Sequence, residues 1–181
     1  MAYGWEGSKT RLVPLDKERH LDNALVWLND PEVTEWVLIG DFPLTRLAEE
    51  KFFDRVMGGD EREVAFAIES LEGEHIGFSG IHRIDFRHGT AMTGTIIGSK
   101  DHWGKGLGTD ATRTRAQYAF DVLGLRLLMS SVLDGNERSL RMQLAVGYVE
   151  IGRIPQRFWK RGAYRDEILT CLTREAFLRE S

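Results

Sequence analysis

Gly104, Gly106 and Gly108 punctuate the stretch His102 to Ala111, directly after a β-like run from Thr93 to Gly98. A helical pattern follows at once, with Leu107, Ala111, Tyr118 and Val122 at spacings of four, seven and four. Strand, glycine turn and helix N-terminus in that order make a cradle for phosphate. Glycine lets the backbone approach an anion, and the free N–H groups that open a helix point at it. Two readings of the turn fit poorly. A nucleotide P-loop needs Ser or Thr after its Gly-Lys, and here Lys105 is followed by Gly106. A dinucleotide fold places the turn early, with an acidic residue ending the next strand. This turn comes about a hundred residues in, and the next strand reaches Asp134 only roughly thirty positions later.

The rest of the chain reads as one domain, residues 1–181. Thr10 to Leu15 is a first strand. Asp16 caps a helix carrying Leu21, Leu25 and Leu28, Pro31 interrupts it, and a short second helix is expected to run to Val37. Thr45 caps a third helix, through Phe53 and Val56 to Gly58-Gly59. Strands follow at 64–68, 75–84 and 90–98, then the glycine loop and a helix to Leu123. A strand over 126–132, a helix over 139–146 and two closing strands, 148–153 and 167–173, complete the order. This is an α+β pattern: an antiparallel meander before the loop and βαβ-like winding after it.

A formal charge of −4 argues against bulk nucleic-acid binding, and no apolar run approaches the roughly 18 residues of a membrane span. The start, Met-Ala-Tyr-Gly-Trp-Glu-Gly, lacks the basic and apolar regions of a signal peptide. The lone cysteine, Cys171, lies in an apolar strand and cannot form an internal disulfide. A soluble cytoplasmic domain is expected.

The pattern Trp103-Gly-Lys-Gly-Leu-Gly resembles the pyrophosphate loop of the GNAT N-acetyltransferase superfamily, Gln/Arg-x-x-Gly-x-Gly/Ala, with Trp103 where Gln or Arg is usual. Asn136-Glu-Arg-Ser139 followed by Gly147-Tyr148 and Gly152-Arg153 is similar to its RimJ/RimL-like branch, which acetylates ribosomal proteins and polyamines. Leu12-Val-Pro-Leu15, Trp27-Leu-Asn-Asp-Pro31 and the Phe158 to Asp166 segment also match. The resemblance implies a GNAT fold: a mixed, mostly antiparallel sheet of about seven strands, flanked by helices and splayed between strands 4 and 5. It also implies acetyl-coenzyme A as cosubstrate and no metal. The acceptor would be a primary amine, either a protein N-terminus or a small amine, attacking the thioester directly. Dimers are common in the family, so a homodimer is an allowed assembly.

In that frame, Trp103, Gly104, Lys105, Gly106, Leu107, Gly108 and Thr109 hold the coenzyme's phosphates, and Ile96, Ile97 and Gly98 meet its pantetheine arm. Asn136 bonds the arm, or simply caps a helix. Ser139 is the candidate proton donor to the leaving thiolate. Many relatives use a tyrosine seven residues after the Asn, a position held here by Gln143, which is no acid. Where relatives often carry a basic Glu, this chain has Thr93, which can only orient a water. His82 is the candidate base, since an imidazole exchanges protons near neutral pH. Alternation puts it on one face with Ile76, Phe78 and Gly80. Glu32, Glu35 and Asp41 border the expected acceptor entrance and would attract a cationic amine. Lacking both the Glu and the Tyr, the chain also fits a non-catalytic acyl-coenzyme A-binding regulator.

Overall fold

The computed structural model describes residues 5–180; Met1–Gly4 and Ser181, part of the domain and N-terminal readings above, lie outside them. The meander consists of β1 (Trp5–Glu6), β2 (Thr10–Pro14), β3 (Val64–Ser70), β4 (His75–Asp85) and β5 (Thr90–Ile97). Helices α1 (Lys17–Leu28) and α2 (Arg46–Met57) are inserted between β2 and β3. After β5 come α3 (Leu107–Asp121), β6 (Leu127–Leu133), α4 (Glu137–Leu144), β7 (Val149–Lys160), β8 (Ala163–Thr173) and α5 (Arg174–Glu180). All lie on one sheet in the order β1-β2-β3-β4-β5-β6-β8-β7. Only β5 and β6 are parallel. A crossover through α3 can join parallel neighbours, whereas short turns join the antiparallel ones.

Each face of the sheet is covered by helices. Val13, Leu15 and Ala67 pack with Leu21, Leu28 and Phe53 of α1 and α2. Leu12, Ile68 and Ile76 pack with Leu107 and Ala111 of α3, and Ile81 and Leu128 with Ala116 and Phe120. Alternate residues thus serve opposite faces, as a pleated strand requires.

The expected sheet of about seven strands is found, with Trp5–Glu6 adding a short eighth at the edge, held by Trp5 against Tyr118 with ring centroids 5.3 Å apart. Three local expectations are corrected. The second helix near Val37 is absent: the carbonyl of Asp30 accepts from the Thr34 N–H and its hydroxyl, and the Asp30 carboxylate takes the Glu32 N–H. The stretch closes as turns instead. The last two strands run on to Lys160 and from Ala163, joined through Arg161 (φ 52°) and Gly162 (φ 82°), the left-handed pair that a tight hairpin needs. Finally, Ile76 does not share a face with Phe78, because the register against β3 shifts at Ile68/Glu69. His82 stays on the Phe78 side, facing the α1–α2 layer by alternation.

Candidate active site

Strands β5 and β6 pair only over Thr90, Ala91 and Met92 against Leu127, Leu128 and Met129, and then diverge. Ser130 Oγ closes the apex by donating to the Thr93 carbonyl at 3.0 Å. Farther along, the Trp103 indole donates to the Ile97 carbonyl at 2.7 Å. Neither carbonyl therefore faces β4, and alternation puts the main-chain groups of Thr95 on the same open edge. The expected arm-binding set shifts accordingly. Ile97 keeps an edge on the gap, whereas Ile96 faces β4 and the Gly98 N–H is spent on the Ile76 carbonyl at 2.9 Å.

The loop at the mouth of the gap turns the chain sharply into α3. Gly104 (φ 75°) and Gly106 (φ 79°) take the left-handed conformation that turns the chain into α3. The first helical bond runs from the Asp110 N–H to the Gly106 carbonyl, 3.1 Å. Among the described residues, no N–H from Gly104 to Thr109 has a protein acceptor. Gly108 packs 3.1 Å (from a virtual Cβ) against Met142 Sδ, so α3 and α4 approach closely there. Trp103 lies flat under the Arg138 guanidinium, 4.6 Å from its ring centroid. Lys105 is exposed, and its carbonyl accepts from Lys9 Nζ at 3.1 Å.

Asp110 is a residue the sequence reading missed. Its carboxylate accepts from the N–H groups of Ser8, Lys9 and Thr10 and from both hydroxyls, at 2.7–2.9 Å. Burial pushes this carboxyl up, but those donors outweigh burial and hold it below the usual range. An acid in the first turn of a helix was visible in the sequence; its partners a hundred residues away were not.

At the apex most polar side chains have protein partners, although the buried Nε of Arg115 has none among the described residues. Thr93 Oγ1 donates to the Met129 carbonyl at 3.1 Å and meets the Tyr148 hydroxyl at 3.0 Å, so it has no hydrogen left for a water. Gln143 is buried, donating to Ser130 Oγ at 3.0 Å and accepting from Thr170 Oγ1 at 2.5 Å. Arg115, 2% exposed, donates to the Gly94 carbonyl, Thr95 Oγ1 and Ser79 Oγ, with Tyr148 OH at 3.4 Å. Asn136 caps α4 by accepting from the Ser139 N–H at 3.1 Å. The Ser139 hydroxyl is half-buried and makes no hydrogen bond among the described residues.

His82 stands on the opposite face of the sheet. Its Nδ1 is 2.9 Å from Glu63 Oε1, and its Nε2 end overlies Gly80, where a Cβ would collide with the ring. Gly80 pairs with Gly94, above which a Cβ would meet nothing within 4 Å. Burial pushes Glu63 up, but hydrogen bonds from Arg55 and His82 hold it below its ordinary range. The imidazole is thus oriented through one nitrogen and open at the other, beside a bare patch of strand.

The three acidic candidates at the entrance are not equivalent. Glu32 and Asp30 both hold Lys100, at 2.9 and 2.8 Å. Asp41 holds the buried Lys160 at 2.8 Å. Glu35 is exposed and unpaired among the described residues. Lys160 and Arg161, at the β7–β8 hairpin, also bond Ile39 O and Thr34 Oγ1 at 3.1 Å each, fastening the 31–41 loop.

The sheet is opened between two parallel strands, with a glycine-rich helix start at its mouth. Residues 9–149 match the family described as Acetyltransferase (GNAT) domain, and the chain belongs to that family, whose acyl donor is acetyl-coenzyme A. Over 121 residues, 67% of the chain, it is 31% identical to spermidine N(1)-acetyltransferase of Escherichia coli K12. The match spans 64% of that relative's length. The spermidine N-acetyltransferase of Vibrio cholerae, solved with CoA and spermine, superposes with a TM-score of 0.86 at 22% identity, covering 94% of this chain and 99% of that one. Mycobacterium smegmatis RimJ, solved with CoA-disulfide, superposes at 0.78 and 20% identity over 92% and 82%. The α+β GNAT fold is therefore secure, with the split at β5/β6, the fourth and fifth strands when the short β1 is left out.

Proposed function

We propose that the chain is an acetyl-coenzyme A-dependent N-acetyltransferase whose acceptor is a primary amine, and that a small amine is preferred over a protein N-terminus. The observation that carries this reading is the union of the β5/β6 gap with the unpaired N–H groups of Gly104 to Thr109. The thioester supplies an activated acetyl group; the chain's part is to hold, polarise and manage protons. Loop N–H groups and α3 hold phosphate. The open edge of β5 at Thr95 and Ile97 offers N–H groups to the carbonyl. His82, oriented by Glu63, takes the proton from an ammonium arriving over Gly80 and Gly94. Ser139 Oγ, without a partner among the described residues, donates to the departing thiolate. The similarity to spermidine acetyltransferases supports a small amine.

Titration calorimetry with acetyl-coenzyme A, followed by an amine panel read by free thiol, tests this. Micromolar binding that Gly106→Trp abolishes while the variant still melts cooperatively, and thiol release with an amine, are expected. No binding by folded protein overturns the coenzyme site. Tight binding without turnover on any amine favours the regulator instead.

A further inference from the structure

Beneath the 31–45 segment, the start of α2 and the end of α1 enclose a cleft of about 460 Å³. Its walls are apolar, with Leu28, Leu38, Leu44, Phe42 and Phe52. Two carboxylates reach it, Asp41 and Glu49. Asp41 is already neutralised by Lys160 Nζ at 2.8 Å. Glu49 is not. It is 5% exposed, in the first turn of α2, and among the described residues its carboxyl has neither a hydrogen-bond donor nor a cation. Burial alone pushes this carboxyl above its ordinary range. A largely buried carboxylate without a partner is costly to a fold, and the cost is removed when a cation arrives with its own donors.

We propose that this cleft binds a singly charged primary ammonium ion carrying an aliphatic or aromatic body, its head on Glu49 and its hydrocarbon along Leu28, Leu44 and Phe52. The charge count sets the class. One unneutralised carboxylate among apolar walls matches one ammonium, whereas a polycation would bring further charges into a lining that offers them nothing. Hydrocarbon is already in demand at the rim, where Phe42 is 86% exposed and Leu38 52% exposed. An apolar body covering them removes that area from water. The floor of the cleft, Leu28 with Leu44, belongs to the same apolar cluster as Ile96 of β5. An occupant therefore rests on the layer that backs the strand at the coenzyme gap.

The test is calorimetry on the coenzyme-free protein with n-hexylamine, n-hexanol and spermidine, for the wild type and for Glu49→Gln. The expected result is hexylamine binding at least tenfold tighter than either hexanol or spermidine, reduced at least tenfold in Glu49→Gln. Glu49→Gln should melt no lower than the wild type, since it removes an unpaired buried charge. Leu28→Ala serves as a second variant and should weaken hexylamine through lost contact. Equal binding of hexylamine to wild type and Glu49→Gln, hexanol as tight as hexylamine, or spermidine as tight as hexylamine would overturn the proposal. Because acetyl-coenzyme A is absent from the cell, the outcome is independent of the transferase reading, and either can fail alone.

Discussion

The hydroxyl of Tyr148 sits 3.0 Å from Thr93 Oγ1, across the apex where β5 and β6 part. Its other neighbour is Arg115, whose Nη2 approaches to 3.4 Å. Tyr148 is 1% exposed, so no water replaces either contact. Tyr148→Phe should therefore destabilise the fold by about 1–3 kcal/mol, the usual cost of stranding a buried polar group. Urea denaturation measures it, and acetyl-coenzyme A affinity should change less than threefold.

His82→Gln should lower the transfer rate about a hundredfold, the scale of a lost general base. Binding of acetyl-coenzyme A, which we propose at the β5/β6 gap and the α3 loop, should be unchanged. Glu63→Gln should cost less, because the imidazole stays in place and loses only its orienting carboxylate. Steady-state kinetics with a saturating amine separates the two. Full activity in His82→Gln would assign proton removal to another group or to water.

Ser139 and Gln143 lie on the same short helix and should respond differently. Ser139→Ala should slow transfer by roughly tenfold or more with little change in melting, as expected for a lost proton donor. Gln143→Leu should do the reverse. It removes the amide bonds to Ser130 Oγ and Thr170 Oγ1, which keep only their bonds to the Thr93 and Ser130 carbonyls, and should destabilise by about 1 kcal/mol. Paired melting curves and kinetics on both variants check this.

Stability should fall as the medium becomes acidic. Burial, then the neighbouring His20, lowers the pKa of His75 from 6.5 to about 4. Burial, followed by Arg19, also lowers that of His20. An unfolded chain takes these protons first as pH drops below 6.5, so stability is lost between about 6.5 and 4 and the loss levels off below. His75 alone accounts for up to about 3 kcal/mol over that window. His75→Phe, which keeps ring contacts with Trp27 and Phe78, should flatten the slope of urea midpoint against pH.

Legibility in the sequence followed the range of the interactions. The glycine loop, the Asp16, Thr45 and Asn136 caps and the meander were readable because each is set by neighbours within a few positions. The face of Ile76 was misjudged because a register shift against β3, invisible in β4 itself, resets the alternation. Asp110, Arg115 and Glu49 passed unnoticed for a similar reason. An Asp at the start of a helix, an Arg within one and a Glu in another are commonplace until their distant surroundings are known. Glu32 and Asp41 were singled out for their charge, and lysines from remote segments neutralise both.

The five bonds converging on Asp110 carry a consequence for how the chain assembles. They join residues 8–10 to the opening turn of α3 over a separation of about a hundred positions. Contacts that distant carry the entropy of closing a long loop and raise the contact order of the fold. The glycine loop can turn on its own, but the helix start that aims it is latched only when the first strand returns. Trimming or fusing at the N-terminus should thus be felt at the coenzyme mouth before it is felt in the core.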